Sequence, residues 1–253
     1  MTSLFSERPA IFPENCFFAA EGGDPPVCQI CRARGSGVCS VLSPEELSAL
    51  YQVSERISFP PGHIFIEEGT DAWCFYNVTQ GTVKLFRSLP DGRRQITGFG
   101  SPGCFIGLAV TETYGFGAET VEAVTLCRFS RKKLETLVNR FPQLERRLLN
   151  EASHELVLAQ DQMLLLGRKT ARERVASFLL TRIAADDCEH TQDSIVLHLP
   201  MTRADIADYL GLTIETVSRT LSRMRQDGLI RTGADRMIEI RSRERLRTLS
   251  LEG

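Results

Sequence analysis

The sequence predicts an α+β chain in three parts: a β-rich unit built as a sandwich or roll, one long helix, and a C-terminal winged helix-turn-helix. Three observations carry this. From Ile57 to Phe129 short β-type runs are punctuated by Gly62, Gly69, Gly81, Gly92, Gly100 and Gly103, the spacing of strands joined at glycine corners. After Pro142 apolar residues recur at helical intervals as far as about Leu166. From Thr202 two short helical patterns flank Gly211.

Each element has its own local reason. Residues 1–40 are rich in Pro, Gly and Cys and carry no period, so they form an arm that only its cysteines could hold in place. Residues 41–140 make the β-rich domain. Ser43, Pro44 and Glu46 open a helix to about Tyr51, with Ser as cap, Pro at the first helical position and Glu reaching back. The β-type runs are His63 to Ile66, Phe75 to Thr79, Thr82 to Arg87, Gln95 to Phe99 and Val121 to Phe129. Pro90, Asp91 and Gly92 give a hairpin turn, and Ser130 caps a helix ending near Arg140.

Residues 141–169 hold the long helix. Leu149, Leu156 and Met163 recur every seventh residue, as do Ala152, Ala159 and Leu166. Such a double row suits packing on the helix's own core. It suits a parallel dimer seam better, because the helix is long, separates two domains and carries small residues in its second row.

Residues 170–253 begin helical, pass through a strand (Ile195 to Leu199) and reach the helical pair. Thr202 caps the first helix with Asp205 three residues on, Gly211 makes the turn and Thr213 caps the second helix. Ile206, Leu210, Val217, Leu221 and Met224 form the small core between them, which leaves Glu215, Ser218, Arg219 and Ser222 on one outward face. That face has the chemistry of a major-groove reader: Arg219 matches guanine bidentately, Glu215 accepts from cytosine N4, and Ser218 adapts to either. Leu229 to Thr232 and Arg236 to Ile240, joined through Gly233 and Asp235, form a wing. Arg223, Arg225, Arg231 and Arg236 are then expected on phosphates.

Lys plus Arg number 30 against 32 for Asp plus Glu, so a wholly basic coat is excluded, yet Val217 to Arg247 holds nine arginines and four acids. No run approaches the roughly 18 apolar residues of a membrane span, and no signal peptide opens the chain. A cytoplasmic protein is expected. In a reducing compartment eight cysteines point to metal binding before disulfides. Cys28, Cys31 and Cys39 form C-x2-C-x7-C, a pair suited to one metal or cluster edge and a third thiolate on a glycine-containing loop. Three ligands leave a fourth to come from elsewhere, and the spacing serves zinc or an iron-sulfur cluster equally. Cys74 and Cys104 sit among apolar residues and read as small buried hydrophobes, with Cys104 a second choice for the fourth ligand. Cys16 and Cys188 read as non-ligands.

The runs Leu164-Leu-Leu-Gly-Arg-Lys-Thr-Ala-Arg-Glu-Arg-Val and Asp208-Tyr-Leu-Gly-Leu-Thr-Ile-Glu-Thr-Val-Ser-Arg, with the arm, the β-unit and the long helix, resemble the cyclic AMP receptor protein superfamily over nearly the whole chain. The closer likeness is to its FNR branch of oxygen-responsive transcription regulators. The resemblance implies a cupin-like jelly-roll sensor domain, a homodimer, RNA polymerase as a partner, and a half-site resembling TTGAT read by Glu215, Ser218 and Arg219 on double-stranded DNA. It implies an oxygen-labile [4Fe-4S] cluster on Cys28, Cys31, Cys39 and, as fourth ligand, Cys127. Where the best-known pattern has an aspartate on the dimer helix, this chain has Ala159, so loss of the cluster should leave more residual dimer. Three other readings stand beside this one. A cyclic-nucleotide receptor lacks support, since Gly107-Leu108-Ala109 replaces the Gly-Glu-Leu turn and Gly115 to Glu122 holds no arginine. An enzyme lacks a ligand triad, because His63, His154, His190 and His198 lie in different segments. A FixK-like regulator that works without a cofactor is the serious alternative.

Overall fold

In the computed structural model, residues 26–108, 112–185, 189–190 and 195–251 are described. The readings made for Cys16, Cys188 and Ala109 lie outside them, as does the arm before residue 26. The arm continues as a short helix α1 (Pro26–Gln29), then 3₁₀ turns at Arg32–Gly35 and Gly37–Val41. Its Ala33 and Val38 are fully buried, so this part of the arm is packed and not the loose segment its composition suggests. Helix α2 (Pro44–Val53) opens as expected: Ser43 Oγ accepts from the Glu46 amide and Glu46 accepts from that of Ser43.

Eight strands follow: β1 (Ser54–Phe59), β2 (Ile64–Ile66), β3 (Cys74–Gln80), β4 (Val83–Ser88), β5 (Arg94–Gly100), β6 (Phe105–Ile106), β7 (Gly117–Thr120) and β8 (Val124–Ser130). They form two antiparallel sheets, ordered β1-β8-β3-β6 and β2-β7-β4-β5. Alternate side chains from both close one apolar interior, including Ile66, Val78, Val83, Ala118, Val124 and Leu126. The roll is the architecture expected. Strands β1, β6 and β7 had no run assigned to them, and the last strand starts at Val124, three residues later than its apolar pattern. In each case cross-strand pairing, not local composition, sets the limits.

Helix α3 (Arg131–Arg140) starts at Ser130, whose side chain makes no capping bond; the Arg131 amide bonds the Trp73 carbonyl instead. Helix α4 (Pro142–Arg168) is the long helix. One face, including Leu144, Leu148 and Leu165, packs on its own chain, and the opposite face leaves Leu149, Leu156 and Met163 61–66% exposed. Ala159 is exposed and Ala152 half-buried, so five of the six expected seam residues border this uncovered stripe. Leu166 does not: it is half-buried on the C-terminal core and packs at Gly211, because the last turn of α4 already belongs to the neighbouring domain.

That domain contains α5 (Ala171–Ala185), β9 (Glu189–His190), β10 (Ile195–His198), α6 (Arg203–Leu210), α7 (Ile214–Gln226), β11 (Ile230–Thr232), β12 (Met237–Ile240) and α8 (Arg243–Ser250). Its sheet runs β11-β12-β10-β9. Helix α8 was not expected; Leu246 and Leu249 bury it on the core. Arg174 of α5 ties the parts together by donating to the carbonyls of Leu166 (2.9 Å), Lys169 (2.9 Å) and Leu210 (2.8 Å), which gives the second arginine of the Ala171-Arg-Glu-Arg run a structural task.

Candidate metal centre and nucleic-acid interface

Cys28 stands in α1, Cys31 just ahead of the first 3₁₀ turn, Cys39 in the second 3₁₀ turn and Cys127 in β8. Folding brings all four into electrostatic range. Burial pushes the Cys39 thiol up to about 12, with Cys127, Cys28 and Cys31 adding to the rise and Arg34 opposing it. Burial likewise pushes Cys127 up to about 11, helped by Cys31 and Cys28 and opposed by Arg56. Four thiolates at this place therefore need a compensating positive group, and the donor set is all sulfur, the ligand chemistry of iron-sulfur clusters and of zinc. Among the described residues no three or more Cys, His, Asp or Glu side chains converge tightly enough to grip a single metal ion. Cys28, Cys31, Cys39 and Cys127 would instead hold a [4Fe-4S] cluster from around it, without converging on one atom.

The arm is seated by packing as well as by its cysteines. Val38 and Leu42 share a core with Phe129 of β8, Leu134 and Leu137 of α3, and Leu144 of α4. Gly37 has φ +60°, and a Cβ there would collide with the Gly103 carbonyl. Arg34 donates to the Cys39 carbonyl at 2.5 Å and the Leu42 carbonyl at 3.3 Å. Asn77 of β3 pairs with Cys127 in register, and its Nδ2 lies 3.8 Å from Cys39 Sγ. Sequence reasoning missed Arg34 and Asn77, since neither belongs to a spaced motif. Cys104, the second choice for fourth ligand, lies apart: burial pushes its thiol up to about 12, and the charges acting on it are Glu155 and Glu151 of α4. Cys74 is half-buried beside Arg128 and Glu55. Glu155 is half-buried on α4, where burial and then Glu151 push its carboxyl up to about 7.

The helix-turn-helix is built as its caps and glycine require. Thr202 and Asp205 complete a reciprocal capping box, Gly211 takes the left-handed conformation at φ 60°, and Thr213 Oγ1 accepts from the Thr216 amide. Ile206, Leu210, Val217, Leu221 and Met224 are buried between the helices. This leaves Glu215, Ser218, Arg219, Ser222 and Arg223 exposed along one side of α7. The Glu215 carboxyl is held below its ordinary value by its own backbone amide, then the Thr213 hydroxyl and Arg219. Arg225 is exposed, and Arg231 sits on the wing strand 3.7 Å from Glu239. Arg236 is also exposed; its guanidinium donates to the Pro200 carbonyl and its backbone φ is 60°, which ties the wing turn to the strand before α6.

Arg219→Ala should cost about 1–3 kcal/mol of operator affinity and relax discrimination at one base pair. Titrations against operators altered one position at a time check this; an equal loss on every sequence would make Arg219 a phosphate contact.

The reader also docks on the roll of its own subunit. Lys84 of β4 bridges Glu119 (2.9 Å) and Asp205 (2.8 Å), the residue that completes the α6 capping box. Gln95 donates to the Asp208 carbonyl at 2.6 Å, and Gln162 of α4 to that of Tyr209 at 2.7 Å. Phe99 of β5 packs tilted against Tyr209 at 5.4 Å and edge-on against Phe178 at 6.2 Å. Arg182 donates to Ser101 Oγ at 2.9 Å. The α7 reading face stays uncovered in this arrangement.

Residues 173–249 match the Crp-like helix-turn-helix domain, and residues 56–141 the cyclic nucleotide-binding domain. The nitrogen fixation regulation protein FixK of Bradyrhizobium diazoefficiens is 43% identical over 206 residues, 80% of this chain and 85% of that protein. The transcriptional activator protein FnrL of Cereibacter sphaeroides is 37% identical over 206 residues, 80% of this chain and 83% of its own length. The solved structure of FixK2 from Bradyrhizobium japonicum is similar with a TM-score of 0.72 at 38% identity, covering 78% of this chain and 97% of that one.

Proposed function

The chain belongs to the cyclic AMP receptor protein and FNR family of DNA-binding transcription regulators, and from that premise we propose that it is an oxygen-responsive member controlled by a [4Fe-4S] cluster on Cys28, Cys31, Cys39 and Cys127. The observation that carries this reading is the gathering of three arm cysteines about a fourth on β8, with Cys28 and Cys31 acting electrostatically on both Cys39 and Cys127. Bound there, such a cluster supplies oxygen-labile links between four thiolates. The chain's own residues couple those links to DNA. Val38 and Leu42 hold the arm against Leu137 and Leu144, at the root of α4. Releasing the arm removes part of that core, and α4 leads directly into the dimer stripe and, through Arg174, to the reader. The protein then works in the cytoplasm as a homodimeric activator that recruits RNA polymerase and takes no cyclic nucleotide.

A second reading, a FixK-like regulator without cofactor, is favoured by the 43% identity to FixK. Anaerobic purification with iron, zinc and acid-labile sulfide assays and a visible spectrum separates the two. Iron and sulfide in equal amounts, one cluster per subunit, is expected. They should be lost on replacing Cys28, Cys31, Cys39 or Cys127 by Ser and kept in Cys74→Ser. Equimolar zinc without sulfide, or protein free of metal, would overturn the cluster.

A further inference from the structure

Asn77 lies in the middle of β3, directly across from Cys127 in the β3–β8 register. It is 1% exposed. Its Nδ2 donates to Cys39 Sγ at 3.8 Å, while its Oδ1 is buried with no hydrogen-bond partner among the described residues. A buried amide oxygen with no partner is costly, and an aliphatic side chain of similar volume would avoid that cost. The site therefore keeps an amide for what its N–H does. That N–H reaches the sulfur of one arm cysteine from the strand that neighbours the fourth, so it links the two halves of the four-cysteine site.

We propose that Asn77 is a positioning residue of this site, whose side-chain N–H hydrogen-bonds the Cys39 sulfur, orients it toward the other three and tunes the cluster held there. This rests on the cluster reading above. A hydrogen bond to a ligating sulfur draws electron density from it and stabilises the more negative, reduced cluster, which raises the reduction potential. Partners of ligands also govern retention, and removing one typically weakens a metal site about 10- to 100-fold. Asn77 lies outside the C-x2-C-x7-C motif and is separated from each cysteine in sequence, so only the docked arm gives it this role.

The test is made on the full-length protein isolated anaerobically, as the unmodified chain, as Asn77→Leu, which removes the donor at similar volume, and as Asn77→Asp, which keeps the shape and puts an acceptor in its place. Two quantities are read: the midpoint potential by spectroelectrochemistry, and the rate of iron release to a chelator without oxygen. Both variants should shift the potential negative and release iron faster, by roughly 10- to 100-fold. A residue that merely fills space would leave the potential of Asn77→Leu unchanged, and an unchanged potential in a loaded variant overturns the proposal. Should Asn77→Leu fail to fold, Asn77→Val, which also lacks the donor and adds no charge, decides in its place. Absence of iron and sulfide from the unmodified protein would instead overturn the cluster reading and this inference with it, so the two failures are distinguishable.

Discussion

Leu156→Asp should convert the protein from dimer to monomer at micromolar concentration and abolish tight binding to an inverted-repeat operator. Leu156 stands between Leu149 and Met163 on the uncovered side of α4, 61% exposed in the subunit. Burying a leucine is worth about 1.5–3 kcal/mol, and a twofold seam counts it twice. Since only the exposed 61% of it remains for a partner to cover, the substitution removes about 2–4 kcal/mol before repulsion between two facing carboxylates is added, which weakens the dimer by about one to three orders of magnitude. Sedimentation measures it directly, and a dimer of unchanged strength would remove this stripe from the interface. Ala159→Asp, on the same exposed side, tests the milder expectation from the resemblance. It should make the cluster-free protein more monomeric, whereas a cluster-free unmodified protein that is already purely monomeric would show that the alanine does not retain the dimer.

Lys84→Met should detach the reader from the roll. The lysine side chain is 15% exposed, and its partners Asp205 and Glu119 are 12% and 14% exposed. Burial opposes the ammonium charge, but hydrogen bonds to Asp205 and Glu119 outweigh it and hold the Lys84 pKa above its ordinary value. Removing one member of a buried pair typically costs about 3–5 kcal/mol, because the remaining charge is left uncompensated; here Glu119 keeps Arg94 at 3.0 Å, so the carboxylate that loses its cation is that of Asp205 and the loss falls at the lower end. Asp205 still has the Thr202 amide and hydroxyl, so α6 should keep its cap while the docking weakens. The expected result is a thermal transition that splits or drops, together with weaker operator binding, since α7 is no longer held at a set angle to α4. Lys84→Met with an unchanged transition and unchanged DNA affinity would show that Gln95, Phe99 and Arg182 suffice.

The parts of the molecule that the sequence made legible are those whose causes lie within a few residues. The capping boxes at Ser43 and Thr202, the left-handed Gly211 and the 3.6-residue spacing of Val217, Leu221 and Met224 are local devices. The exposed order of Glu215, Ser218 and Arg219 follows from that spacing alone. The stripe of Leu149, Leu156 and Met163 was legible for the same reason, and the glycine-punctuated runs announced a roll.

By itself, then, the sequence determined the reader helix, the apolar stripe of α4 and the spacing of three arm cysteines. Only the tertiary structure decided that Cys127 and not Cys104 stands in electrostatic range of Cys28, Cys31 and Cys39, that Leu166 packs on the reader, and that Arg236 donates to the Pro200 carbonyl. It alone brought Lys84 to Asp205 and Asn77 to Cys39. The physical reason is common to all of these. Which face of a strand meets which turn of a distant segment depends on register and on how whole units dock, and the side chains that meet are separated by too much chain for any propensity or spacing to encode.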